Sequence, residues 1–452
     1  MKKIIYLLGY MLLFAIVAYI QWLDVNTGVL VTKDYILKDI YFILMSALLL
    51  LIIFSGIYLR FTKFDLVKIY PFIILILGVA YMNVFPAMSA PDEIVHFISA
   101  YKLSNNILGE KATVSDGHVV VRASDIWLED CANEYKYDKE ESIREGVLVP
   151  AKGSCSKVFG SKLKESTYKQ FFKKGFGFDR DKYVKFEGKE YDKAQSVHAP
   201  VNTIPSVYLP GALGICIARI LNLNTAGLIM LGRFFNLAVF IIFGMLAIHF
   251  MPGYKEFIFL ISLLPMTLEQ AASFSYDAVM ISGIMFFVSY VFYLIYVSES
   301  FRKKDLLIIT MIAGLIFPCK IVYVPMLLIL FGIPVNKFVL FGENDGGIKK
   351  NNSISFIISV ITVASALGLA MYLVNKTALI SYSTGSNGTL EWAGEESYTI
   401  YYLIHNRLKT VKLLYNTLIL QLEYYHKTML GFYMGNADEV IGIPYIIFLI
   451  LD

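Results

Sequence analysis

The chain has little charge. Asp, Glu, Lys and Arg make up 17% of its 452 residues, while 57% are hydrophobic. Soluble domains carry about 25% charge and about 45–50% apolar residues, so an ordinary water-soluble globule is excluded. A formal charge of only +4 gives no sign of the basic surface that nucleic-acid binding requires. Four cysteines are too few for a disulfide scaffold. C-x-x-C and H-E-x-x-H are missing, which argues against a protein-held zinc. The Gly/Asn-rich run at 342–352 lacks the G-K-[ST] ending of a P-loop and reads as a linker. No fixed-period repeat or low-complexity tract occurs.

What is there is hydrocarbon. Mean hydropathy is +0.61. Apolar segments run roughly 4–22, 39–59, 69–87, 228–250, 257–270, 278–298, 306–318, 322–335 and 353–374, and two more begin near 411 and 440. Some 20 apolar residues cross a bilayer as a helix. An all-α polytopic membrane protein with about 10–11 transmembrane helices is the expectation. The first run, led by Lys2 and Lys3, has an apolar core of about 18 residues and no A-x-A-like site, and reads as an uncleaved span. Residues 1–91 are read as N-terminal transmembrane helices. Residues 92–227 form a loop with a polar insert and an interfacial helix, and 228–452 form a transmembrane core with outer loops.

Lysine and arginine in short loops orient the chain. With Lys2 and Lys3 inside, Arg60, Lys63 and Lys68 are also inside, and the third span emerges outward at Asp92. The insert is then extracytoplasmic. In it, the stretch around Val120 reads as a short strand, and 174–193 as turns and short strands. Cys131 and Cys155 fall here, as a bridge or as two thiols. The run 202–223 is either a span or an interfacial piece. A span would put the basic run at 301–305 outside, against the charge rule. Pro205 and Pro210 interrupt the helical pattern, and the interfacial reading is preferred.

One stretch carries chemistry. "PDEIVHF", 91–97, follows the third apolar run directly. Pro and acids suit a helix start, and His96 lies one turn after Asp92. The same spacing gives a carboxylate at the membrane edge, backed by Glu93 and His96, that can accept a proton from a hydroxyl. Asp277 either caps the next span or supplies a second acid. Arg233 either snorkels to the interface or neutralises a lipid phosphate. Lys320, between two apolar runs, needs a counter-charge. Arg407, Lys409 and Lys412 form a solvated interfacial face or contact a diphosphate or anionic lipid.

"APDEIVHFISAYKLSN" is similar to the D-E-x-H-F segment of protein O-mannosyltransferases. It is closer still to a large bacterial membrane family classed as a domain of unknown function, with P-D-E-x-x-H-F after an early span. Both resemble the GT-C superfamily of membrane glycosyltransferases. "HAPVNTIPSVY" is similar to that family's H-x-P-x-x-x-x-P-x-x-Y segment, which brings in His198 and Tyr208 as acceptor or loop contacts. "LGRFFN", "SFSYDAVM" and "FPCKIVYVP" resemble its later segments with Arg233, Asp277 and Lys320.

The resemblance implies a GT-C-like fold with a mixed α/β extracytoplasmic insert, in a bacterial plasma membrane. It implies transfer of a sugar, with inversion, from a polyprenyl-phosphate donor to an extracytoplasmic glycan, lipid or protein. Asp92, Glu93, His96 and Asp277 would be catalytic, and Arg233, Lys320 and Arg407 would bind the donor phosphate. A divalent cation, Mg or Mn, would sit on Asp92 and Asp277 if one is used. No D-x-D stands at a convincing place in an outer loop. A flippase for lipid-linked sugars, or a non-catalytic envelope sensor, is the alternative.

Overall fold

In hydrocarbon every backbone N–H and C=O must find its partner within the segment, so unbroken runs of Leu, Ile, Val and Phe form long helices. The computed structural model describes residues 2–33, 35–61, 65–128, 136–151, 171, 176–180, 182–201, 203–340, 352–374, 389–390, 395–396 and 400–429. Cys131, Cys155 and the apolar segment near 440 lie outside them.

The chain divides into two units. The first comprises Met1–Val201, Val207–Tyr290 and Tyr433–Ile441, and the second Asn202–Ser206, Val291–Phe432 and Gly442–Asp452. The first holds helices α1 (Lys2–Thr32), α2 (Ile36–Phe61), α3 (Leu66–Val84) and α4 (Glu93–Leu108), then α5 (Lys139–Glu145) in the insert. It continues with α6 (Leu209–Ile220), α7 (Thr225–Phe250), α8 (Lys255–Leu263), α9 (Pro265–Ala271) and most of α10 (Asp277–Tyr296). The second unit contains α11 (Lys303–Leu315), a 3-10 helix Ile321–Gly332, α12 (Asn352–Val374), α13 (Ile400–His405) and α14 (Arg407–Met429).

Among the described residues, six helices are long and apolar enough to cross a membrane: α1, α2, α3, α7, α10 and α12. The expectation of 10–11 is corrected by proline and charge. Pro265 divides 257–270 into α8 and α9, and Pro325 sits inside the 3-10 helix that replaces a span at 322–335. Helix α11 has only 13 residues. Helix α14 carries Arg407, Lys409, Lys412, Glu423 and Lys427 along its length. The run 202–223 forms a short 3-10 turn and the 12-residue α6, about 18 Å long at 1.5 Å per residue, too short to span.

Helices α6 and α7 approach closely where Gly214 meets the α7 backbone. A Cβ there would stand 2.6 Å from the Leu231 carbonyl oxygen, so only glycine permits this approach. In the second unit, Lys337 Nζ donates to the carbonyls of Leu294 (3.1 Å) and Ile295 (2.6 Å), partnering the last carbonyls of α10.

The insert consists of short strands in antiparallel pairs. β1 (Val120–Arg122) pairs with β6 (Lys193–Gln195), β2 (Tyr137–Asp138) with β3 (Val149–Pro150), and β4 (Val184–Phe186) with β5 (Lys189–Tyr191). The strand expected around Val120 and the strands expected before Lys193 are present. A buried knot fastens the insert to the helices. Arg122 forks onto Asp125 (2.8 and 3.0 Å) and donates to the Leu223 carbonyl (2.7 Å). Asp125 also accepts from Thr225 Oγ1 (2.6 Å) and Tyr101 Oη (3.3 Å).

A second tie is half-exposed. Glu110 accepts from Lys193 (2.9 Å) and faces Arg219 Nη2 (2.8 Å). Burial alone would raise its carboxyl. The Lys193 hydrogen bond and the charges of Arg219 and Lys193 outweigh that and hold it below the ordinary glutamate range. A carboxyl depressed on folding contributes stability in full above its unfolded value, and that contribution is lost as pH falls through the folded one. Corrected for the intrinsic exchange rate, the protection of the β6 amides is therefore expected to fall on acidification from about pH 5 downward, and Glu110→Gln is expected to remove that part of the pH dependence. Hydrogen exchange followed by mass spectrometry checks it.

Candidate functional site

Helix α3 stops at Val84, and the carbonyls of its last turn need partners. The Phe85 N–H takes the Tyr81 carbonyl, and Arg233 on α7 takes that of Met82 and two just beyond the helix end. Its Nη1 donates to the carbonyls of Met82 (3.3 Å) and Phe85 (2.9 Å), and its Nη2 to that of Pro86 (2.8 Å). The other side of the guanidinium meets Glu93, the first residue of α4, with Nε–Oε1 at 2.8 Å and Nη2–Oε2 at 2.7 Å. Arginine has five N–H donors, and these five bonds use them all. Glu93 accepts further from the Phe274 N–H (3.1 Å) and the Ala90 N–H (3.4 Å). Both side chains are fully enclosed, at 2% and 0% exposure.

Asn236, three residues further along α7, donates to the carbonyls of Ser273 (2.8 Å) and Ser275 (3.3 Å). One stripe of α7 thus gathers the end of α3, the P-D-E turn and the 273–275 loop. Arg233, expected as a phosphate ligand, has its donors committed inside the protein. Glu93, expected to be catalytic, is its counter-charge.

Asp92 differs from its neighbour. It holds the N-cap position of α4 in the left-handed region, at φ 53° and ψ 18°, and makes no side-chain cap hydrogen bond. An ordinary N-cap is extended and accepts from the first turn of the helix; the helix start expected at 91–93 is present, but the Asp92 carboxylate does not bond to it. The residue is exposed. Aspartate tolerates positive φ better than most residues, which makes the conformation affordable here without glycine.

His96 lies one turn into α4 and is buried. Its Nδ1 is 2.9 Å from the Tyr208 hydroxyl. Tyr276 meets the imidazole edge-on at 4.6 Å between centroids and lies 5.9 Å from the Tyr208 ring. Asp277 follows directly, half-buried at the start of α10, and its N–H donates to Ser275 Oγ (3.1 Å). The first unit therefore brings the P-D-E turn, His96, Tyr208 and the segment of Asp277 together. His198 is half-buried, and its carbonyl accepts from Ser196 Oγ (2.9 Å). Lys320 and Arg407 belong to the second unit. Lys320 is half-buried beside the 3-10 helix, and Arg407 is exposed with Nε donating to the Ile404 carbonyl (3.3 Å).

Sequence reasoning missed Tyr276, though an aromatic directly before the second acid was a visible signal. It also missed the Arg122–Asp125 knot. Asp179 begins an Asp-Arg-Asp run, but it is buried, accepting from Ser124 Oγ (2.9 Å) and facing Arg122 (3.5 Å). Asp181 lies outside the described residues. Among the described residues no three His, Cys, Asp or Glu side chains gather as a metal site, and no step below is routed through a metal.

Residues 75–442 match the family model described as "Predicted membrane protein (DUF2142)". The chain belongs to the DUF2142 family. Neither a curated protein nor a solved structure matches it. The DUF2142 match begins within α3 and takes in Asp92, Glu93, His96, Arg233, Asp277, Lys320 and Arg407 alike.

Removing one partner of a buried pair leaves an uncompensated charge, at a cost of about 3–5 kcal/mol. Glu93→Gln and Arg233→Met are each expected to lower stability on that scale, and the double variant by less than their sum. Arg233→Lys is expected to rescue little, because a single ammonium cannot fork onto the carboxylate and reach three carbonyls. Thermal unfolding in nanodiscs checks the cycle.

Proposed function

We propose that this DUF2142 protein is a GT-C-type glycosyltransferase of the bacterial envelope. It moves a sugar from a polyprenyl-phosphate donor to an extracytoplasmic acceptor hydroxyl. The observation that carries the reading is the contrast between two consecutive acids. Glu93 is buried and fully bonded, while Asp92, at the N-cap position, is exposed and makes no side-chain cap hydrogen bond.

The chemistry follows from this placement. The Asp92 carboxylate accepts the proton of the acceptor hydroxyl. The acceptor oxygen forms its bond to the anomeric carbon as the bond from that carbon to the phosphate oxygen breaks. The electron pair leaves with the polyprenyl phosphate, and a single displacement inverts the anomeric centre. His96, held by Tyr208, and the Tyr276 ring provide a rigid aromatic wall for a sugar face. Charge building on the leaving phosphate calls for a cation.

The second unit has an apolar feature of its own. An apolar cavity of about 200 Å³ in the second unit is lined by Phe301, Ile309, Leu327, Phe356 and Val363, among others. Its Ser359 hydroxyl already donates to the Ser355 carbonyl (2.8 Å). Such a lining suits a hydrocarbon chain.

Asp92→Asn is expected to fold normally and to lower sugar release from a polyprenyl-phosphate donor by roughly 10²–10⁴-fold, the contribution of a positioned base. The assay is turnover in membranes normalised to folded protein. Unchanged turnover at equal folded amounts would exclude Asp92 as the base.

A further inference from the structure

Helix α14 is not explained by the site above. Its 23 residues, Arg407–Met429, are exposed along most of their length, and it is not among the helices apolar enough to span. Its side chains are nevertheless ordered around the axis. At about 100° per residue, Leu408, Val411, Leu414, Tyr415, Leu418 and Leu422 fall in one arc of roughly 120°, which Arg407 enters at the start of the helix, while Leu413, Leu420 and Tyr424 lie on the opposite face. The apolar side chains of the arc are between 59% and 88% exposed. Lys412 lies about 40° beyond one border of the arc and Gln421 about 20° beyond the other, while Lys409 and Lys427 project from the opposite face. Glu423 is answered by Lys427 at 2.6 Å, so the uncompensated charge is positive and sits at the start of the helix, at Arg407, Lys409 and Lys412.

We propose that α14 lies in the plane of the membrane surface, with its apolar arc in the acyl boundary and Arg407 and Lys412, at and beside that arc, on anionic lipid headgroups. A wide apolar arc, low overall hydropathy and a cationic border are what such a surface binds. The chain itself carries six helices that bring a bilayer within reach. The charge pattern disfavours a second copy of the chain. The apolar positions step by three and four, as in a coiled coil, but the residues flanking that seam include Arg407 and Lys412 and no acid. A parallel pair would set cation against cation where such pairs need opposite charges.

The test uses the full chain in nanodiscs, with its native cysteines replaced and a nitroxide placed at successive positions from 409 to 424. In phosphatidylglycerol discs, oxygen accessibility is expected to peak at 411, 415, 418 and 422. Nickel-chelate accessibility is expected to peak at 409, 416 and 423, with one common depth along the helix. With Lys412→Gln the surface-bound fraction relative to the detached one is expected to fall about fivefold, the equivalent of ~1 kcal/mol for one cation at an anionic surface, and in phosphatidylcholine discs, where every cation loses its partner, by more. Uniform nickel accessibility would overturn the proposal. So would spin–spin broadening from a second copy, a depth that changes steadily along the helix as in a span, or indifference to lipid charge. Acylation of Lys412 relative to Lys409 in the unaltered chain, read by mass spectrometry, repeats the test without substitutions. Slower labelling in anionic than in neutral discs supports the proposal, and equal rates refute it.

Discussion

The fork between Arg233 and Glu93 is the constraint on which the first unit depends. A guanidinium and a carboxylate sealed from water are tolerable only when each donor and acceptor is answered. Here the answers come from three separate stretches: the carbonyls at the end of α3, the turn before α4 and the Phe274 amide. The pair therefore acts as a clamp. Its electrostatic demand fixes the chain path between α3 and α4 and ties the loop before Asp277 to the same point. Asn236 extends the clamp by one turn of α7.

A consequence is division of labour between adjacent residues. Glu93 is drawn inward by Arg233. The left-handed backbone at Asp92 leaves the preceding carboxylate exposed and without a cap hydrogen bond. An acid placed this way is costly unless water or a ligand meets it, and backbone in this region is often retained where a site needs it. His96, Tyr208 and Tyr276 give the neighbourhood a stiff aromatic side that loops alone would not hold.

Much of the helical architecture was legible, because 20 continuous apolar residues leave the backbone few alternatives. The errors came where proline interrupts such runs. Pro265 and Pro325 are plain in the sequence, but whether each kinks or ends a helix depends on neighbours that re-satisfy the freed carbonyls. The charge-rule topology placed Asp92, His96 and Asp277 on one face, and His96 and Tyr276, the neighbour of Asp277, are in contact. The role of Arg233 was not anticipated, since an arginine facing a lipid phosphate and one facing a buried glutamate look alike in one dimension. Its partners at Met82, Phe85 and Pro86 are backbone carbonyls, which leave no mark on residue type. The Arg122–Asp125 knot was hidden for a similar reason: in a polar insert a charged pair reads as surface until the fold buries it.

The account assigns reactivity to the carboxylate outside the clamp and structure to the one inside it. The most direct test is carbodiimide-driven amidation of the folded protein in membranes, with each modified carboxyl located by mass spectrometry and sugar transfer measured on the same samples. The account predicts that Asp92 is modified, that Glu93 is untouched until the protein unfolds, and that transfer is lost in proportion to Asp92 modification. Modification of Glu93 in the folded protein, or full transfer after Asp92 is amidated, would contradict it.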